Sequence, residues 1–177
     1  MADGMDWIQT YSGRTFHSLN PVEEELFVED IAHSLSNLCR FNGHCLRYYS
    51  VAEHSVRVSR ILPDELKLWG LLHDAGEAYL TDLPRPVKQR LPSFNAMEDK
   101  VLEVVARKFN LVWPMPAPVK EADNILLATE ARDLMATPPR PWNLGVDPLP
   151  EAIDPMLPEA ACRFFLGGYA LLTGGAK

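Results

Sequence analysis

Apolar residues recur at helical spacing along most of this chain. In VEDIAHSLSNLCRF, Ile31, Leu35 and Leu38 fall on one face of a predicted helix. After Gly43, the segment YSVAEHSVRVSRIL opens with Ser50 and Glu53 in the S-x-x-E order of a capping box. Pro63 stands where a first-turn proline is tolerated and starts PDELKLWGLLHDAGEAYL, read as a single helix. A longer helix over roughly 93–109 sets Met97, Val101, Val104 and Val105 on one side, and VKEADNILLATEARDLM and PEAACRFFLGGYALL supply two more. Only DWIQTYSGRTFHSLNP alternates, weakly, and it breaks at Gly13 and Pro21, so it predicts a short strand or hairpin arm. Pro84 and Pro86 predict a stiff loop, and TPPRPWNLGVDPLPEAIDP an irregular stretch draped over the surface. The pattern as a whole predicts an all-α bundle of about six helices, with the short N-terminal arm, as a single domain over residues 1–177.

Composition narrows the function classes. A chain of 177 residues with 47% hydrophobic and 23% charged residues can bury one core. It contains no apolar run long enough to span a membrane, and MADGMDWIQT has no apolar h-region, so no signal peptide is expected. Met1–Gly4 reads as a dispensable tail. Cys39, Cys45 and Cys162 are odd in number and lack CxxC spacing, which argues against a disulfide framework or thiolate zinc site and fits a reducing cytoplasm. A net charge of −7 argues against a broad nucleic-acid footprint, while a small phosphate ligand needs only a few local cations.

Several polar residues lie on apolar faces. His54 shares a stripe with Val51, Val58 and Ile61; His73 shares one with Leu66, Trp69 and Gly70, and Glu77 follows a turn later. Asp123 sits near a helix start, with Leu126 and Leu127 a turn away. Singly, each reads as a hydrogen-bonded core histidine or a favourable helix-dipole partner. Taken together they describe a site.

The order His54…His73-Asp74…Asp123 resembles the H…HD…D signature of the HD-domain metal-dependent phosphohydrolases. SVAEHSVRVS resembles the first-ligand helix of that family, HDAGEAYLTDLPRPVK its HD helix and following loop, and VKEADNILLATE its last-ligand helix. Cys39-Arg40-Phe41 looks like the Arg-aromatic pair of the bacterial 5′-deoxynucleotidases and the phage dATP triphosphohydrolases, so the similarity covers roughly residues 30–135. The resemblance implies an HD-domain bundle with a divalent metal ion held by His54, His73, Asp74 and Asp123. Two neutral imidazoles and two carboxylates suit Mn²⁺, Co²⁺, Fe²⁺ or Zn²⁺, with Mg²⁺ possible but less natural.

It further implies an enzyme, cleaving the 5′ phosphoester of a (deoxy)nucleotide, dNMP or dNTP, by attack of metal-activated water on the α-phosphorus. Glu77 and Asp82 are then the acid/base candidates. Arg40 and Lys88 are the phosphate-binding candidates, and Phe41 packs against sugar or base. Phe41 and Gly43 replace the tryptophan and bulky aliphatic of the phage dATP enzymes, which predicts a looser deoxynucleotide pocket. His44 is read as either lining that pocket or standing outside it, His33 as a packing residue, and Trp142 as a packing residue with a lid or interface anchor as the alternative. By the same resemblance a homo-oligomer, dimer or hexameric ring of dimers, is expected. The rival readings are a (p)ppGpp or cyclic-nucleotide hydrolase of the same fold, a di-iron oxygenase, and a non-catalytic nucleotide-binding module.

Overall fold

The computed structural model describes residues 6–175; the Met1–Gly4 tail lies outside them. A two-residue hairpin pairs β1 (Ile8–Gln9) with β2 (Thr15–Phe16), Ile8 opposite Phe16. Eight helical segments follow: α1 (Val28–Asn37), α2 (Val51–Ile61), α3 (Lys67–Leu72), α4 (Glu77–Leu80), α5 (Arg85–Lys88), α6 (Pro92–Lys108), α7 (Ala117–Leu134) and α8 (Pro158–Leu172). The all-α expectation and the N-terminal arm are both present. No helix among the described residues is long and apolar enough to cross a membrane, and the three cysteines are free thiols.

Helix α2 is the central element, packed against α1, α3, α7 and α8. One apolar cluster gathers Phe16, Leu26, Ile31, Leu35, Leu72 and Phe165; a second gathers Tyr49, Val58, Trp69, Leu126 and Ile153. Between them α2 is so enclosed that Glu53, His54 and Ser55 are as inaccessible as its valines. Burying those polar groups is costly unless each finds a partner.

Three local departures from the sequence pattern shape the site. The segment expected as one helix over Pro63–Leu80 is broken at His73–Gly76. There the backbone winds in tighter i−3 bonds: Ala75 N to Leu72 O at 2.9 Å, Glu77 N to Asp74 O at 2.9 Å and Tyr79 N to Gly76 O at 3.1 Å. The cause is visible at Gly70, whose carbonyl would serve residue 74 in an unbroken helix; it accepts from His73 Nδ1 at 2.8 Å instead. Second, α1 stops at Asn37 rather than running into the Arg-aromatic pair, and Arg40 N bonds to Tyr49 O at 2.9 Å. Third, the Pro84–Pro86 loop contains one helical turn, α5, with proline in its first turn.

The stretch 136–157 is irregular, as expected, but it does more than drape. Leu149 N bonds to Thr129 Oγ1 at 2.9 Å, Ile153 N to Asp133 at 2.8 Å and Met156 N to Glu53 Oε2 at 2.7 Å, and Ile153 is buried.

Gly70 is where α3 crosses α2. A Cβ there would stand 2.8 Å from Ser59 Cα and 2.5 Å from Leu62 Cδ1, and a backbone atom cannot step aside as a side chain can. Gly70→Ala is expected to destabilise the fold by about 1–3 kcal/mol, read as a lowered denaturation midpoint; an unchanged midpoint would show that the helices can separate freely.

Candidate metal centre

His54 enters from the first turn of α2, His73 and Asp74 from the tightened turn after α3, and Asp123 from two turns inside α7. The α2 start is fixed by Ser50, whose Oγ accepts from Glu53 N at 3.1 Å. Only half of the expected capping box forms, because the Glu53 carboxylate is turned to Arg57, at 2.7 Å, and to the Met156 amide.

Each imidazole uses its Nδ1–H in a hydrogen bond. His54 Nδ1 donates to Glu130 Oε1 at 2.6 Å, and His73 Nδ1 to the Gly70 carbonyl. With Nδ1 donating in each ring, Nε2 is the nitrogen that faces the centre, where it can hold either a proton or a cation. The two Nε2 atoms face each other at 3.2 Å. Asp123 Oδ1 lies 3.3 Å from His54 Nε2, and Asp74 Oδ2 lies 3.3 Å from His73 Nε2 and 3.6 Å from His54 Nε2. Ligand atoms around a divalent cation at about 2.1 Å stand about 3.0–3.4 Å apart, so this spacing suits one. His54, His73 and Asp123 form a mutually close buried group that could hold a metal ion, with Asp74 beside it. Histidine ligands whose other nitrogen is tied to a carboxylate or a carbonyl are the arrangement expected behind such a cation.

The electrostatics set a competition at Nε2. Burial and the Arg40 charge push the His54 imidazolium down, but Glu130 and the bond to Asp123 outweigh them and raise it to about 9. A proton and a cation therefore compete for one lone pair. Despite burial, Asp74 is held well below the usual carboxylate range by His73 and His54, and Asp123 by His54, His73 and Lys120. Lys120 also makes a short ion pair with Asp123.

Glu77 behaves in the opposite way. Its carboxyl is buried, its Oε2 has no hydrogen-bond partner among the described residues, and burial together with Asp74 and Asp82 raises it well above the carboxylate range. Burial and the neighbouring anions thus favour its protonated form. Asp82, half-buried in the loop after α4, is raised by burial and by Asp74 but makes no hydrogen bond to the centre.

The expected phosphate and base residues fare unevenly. Arg40 is committed to Glu130, with Nε at 3.2 Å and Nη2 at 3.0 Å from Oε2, leaving Nη1 3.7 Å from Asp74 Oδ2. Lys88 is paired with both oxygens of Glu98, at 2.6 and 2.5 Å. Phe41 lies beside Arg40, its centroid 5.4 Å from Cζ. Gly43 and His44 are exposed, and the structure does not bring the His44 side chain to the centre. His33 stacks on Tyr11 at 3.6 Å, in keeping with a packing role. Glu130 and Glu98 were missed in the sequence. Glu130 carried a signal, an acid on the buried Asp123–Leu127–Leu134 stripe of α7; Glu98 carried none.

No family model matches the chain. Over 130 residues, 73% of each protein, it is 46% identical to the uncharacterized protein YfdR of Escherichia coli. The chain belongs to the YfdR family. An uncharacterized protein of Rhodobacter capsulatus is 35% identical over 126 residues, 66% of this chain and 64% of that relative. Neither name states an activity, so the chemistry of this YfdR-family chain is read from its side chains.

Glu130→Gln removes the charge behind His54 and lets the amide disfavour the Nδ1–H tautomer. Affinity for Mn²⁺ or Co²⁺, measured by calorimetry, is expected to fall about 10- to 100-fold; an unchanged affinity would remove Glu130 from the centre. For Glu77 the raised folded value means that its stabilising contribution is complete below the ordinary carboxylate range and is lost as pH rises toward the folded value. In EDTA, Glu77→Gln is therefore expected to melt increasingly above wild type as pH climbs from about 4 to about 8, and parallel melting curves would contradict it.

Proposed function

We propose that the chain is an HD-type, divalent-metal-dependent phosphohydrolase that cleaves the 5′ phosphoester of deoxynucleotides, mono- or triphosphate. The observation that carries this reading is the convergence of the two imidazole Nε2 atoms with the Asp123 and Asp74 oxygens, beside the buried and unpartnered Glu77 carboxyl. The H…HD…D order of the ligands, with the Arg-aromatic pair upstream, supports the same reading.

A cation bound by His54, His73, Asp123 and Asp74 would supply Lewis acidity and an acidified water. The remaining work falls to the chain. Glu77, unpartnered at Oε2 and shifted toward its protonated form, can give a proton to the departing 5′ oxygen and so avoid an alkoxide leaving group. Asp82, at the edge of the same field, can take up the proton that an attacking water loses. Arg40, braced by Glu130, presents its Nη1 edge beside Asp74, where a phosphate oxygen can receive it. Lys88 would have to exchange Glu98 for the anion, so its contribution rises with substrate charge.

The test is turnover by protein reconstituted with Mn²⁺ or Co²⁺, across deoxynucleoside and ribonucleoside mono- and triphosphates, scoring phosphate and triphosphate release. Hydrolysis of at least one deoxynucleotide is expected, abolished by Asp74→Ala and slowed about 10²- to 10⁴-fold by Glu77→Gln. No turnover of any nucleotide with either metal would refute the proposal.

A further inference from the structure

The irregular segment after α7 is held in two different ways. Leu149 to Met156 is pinned by the hydrogen bonds described above, whereas no backbone group from Ala136 to Pro148 makes a hydrogen bond among the described residues. Trp142 lies in the untethered half, yet it has a defined neighbour. Its ring meets Phe41 edge to face at 70°, with centroids 5.9 Å apart.

The backbone on both sides of this contact is strained. Phe41 and Asn42 take φ of 52° and 50°, and Asn143 takes 50°. Left-handed conformations at a bulky residue cost energy and gather at binding sites, where the fold holds a side chain against its preference. Phe41 connects through Arg40 to Asp74, so the Trp142–Phe41 pair adjoins the metal centre.

Trp142 also lines a cavity of about 410 Å³, together with Ala128 and Ala131 of α7, Met135 just past that helix, and Asn143. On that helix the stripe of Asp123, Leu127 and Glu130 faces the centre, and the alanines occupy the adjacent stripe. Arg132 is the cavity's one charged lining residue, and its guanidinium is spent on Asp133 and on the Leu149 and Glu151 carbonyls. The rest of the lining is uncharged, with alanines, the aliphatic side chains of Met135, Leu144 and Val146, an indole 41% exposed and the Asn143 amide. That surface suits an uncharged planar ring with polar edges.

We infer that this cavity binds the nucleobase of the substrate, stacked on Trp142, with the Asn143 amide at its edge. The inference rests on the phosphohydrolase reading of the neighbouring centre. It gives the segment 136–148 a task that the sequence pattern does not suggest. Stacking tolerates any base, so weak base preference follows.

The test is calorimetric binding of deoxyadenosine, deoxyguanosine and thymidine to the full chain in EDTA, which needs neither metal nor turnover. Wild type is expected to bind at least one nucleoside, with Trp142→Ala weakening it about ten- to a hundredfold and Trp142→Phe retaining most of it. Ala131→Leu, which narrows the cavity and leaves the indole in place, is expected to weaken it as well. No binding by wild type, or wild-type affinity in both Trp142→Ala and Ala131→Leu, would overturn the inference. Nucleoside binding sensitive to both substitutions, in a protein that hydrolyses no nucleotide, would uphold the ring site and remove the phosphohydrolase reading. Hydrolysis with nucleoside binding insensitive to both would do the reverse.

Discussion

The hydrogen bond from His54 Nδ1 to Glu130 Oε1, 2.6 Å long between two fully buried side chains, is the interaction on which the rest of the centre depends. A carboxylate so enclosed is sustained only by compensating charge, and Arg40 supplies it with two bonds to the other oxygen. Arg40 can reach Glu130 because the chain leaves α1 at Asn37 and passes close to Tyr49 before the left-handed turn at Phe41. One bond thus ties α2 to α7, fixes the His54 tautomer, and locates the Arg-aromatic pair. Deleting Arg40 or Glu130 leaves its partner's buried charge without compensation, a far larger cost than the pair contributes when intact.

The tightened turn at His73–Gly76 gives the centre its chemical asymmetry. Surrendering the Gly70 carbonyl to His73 orients that ring, and the i−3 winding that follows sets Asp74 and Glu77 in unlike surroundings. Asp74 meets imidazoles and the edge of Arg40 and is held well below the carboxylate range; Glu77 meets burial and the fields of Asp74 and Asp82 and is pushed well above it. Two carboxyls three residues apart are driven in opposite directions by their environments, the separation that acid–base chemistry requires.

Much of this was legible in the sequence. The helices and the N-terminal arm followed from the spacing of apolar residues, and His54, His73 and Asp123 stood out as polar residues on apolar stripes, whereas Asp74 and the four-residue set entered only through the H…HD…D resemblance. The helix break at His73 was not legible, because i, i+3 and i, i+4 repeats overlap and a side chain competing for a carbonyl leaves no periodic trace. The commitment of Arg40 to Glu130 and of Lys88 to Glu98 escaped for another reason. The partners lie on different elements, and only the packing of α1's exit against α7, and of α5 against α6, brings them together. The anchoring of Leu149–Met156 was hidden likewise, since backbone donors carry no sequence signature.

The central claim is that the converging Nε2 atoms of His54 and His73, with Asp123, hold a divalent cation. Titration of the EDTA-treated chain with Co²⁺, followed by visible d–d absorption and by bound-metal stoichiometry, tests it most directly. The account predicts one Co²⁺ per chain in wild type and loss of that site in both His73→Gln and Asp123→Asn. Failure of wild type to bind, or undiminished binding in those two variants, would contradict it.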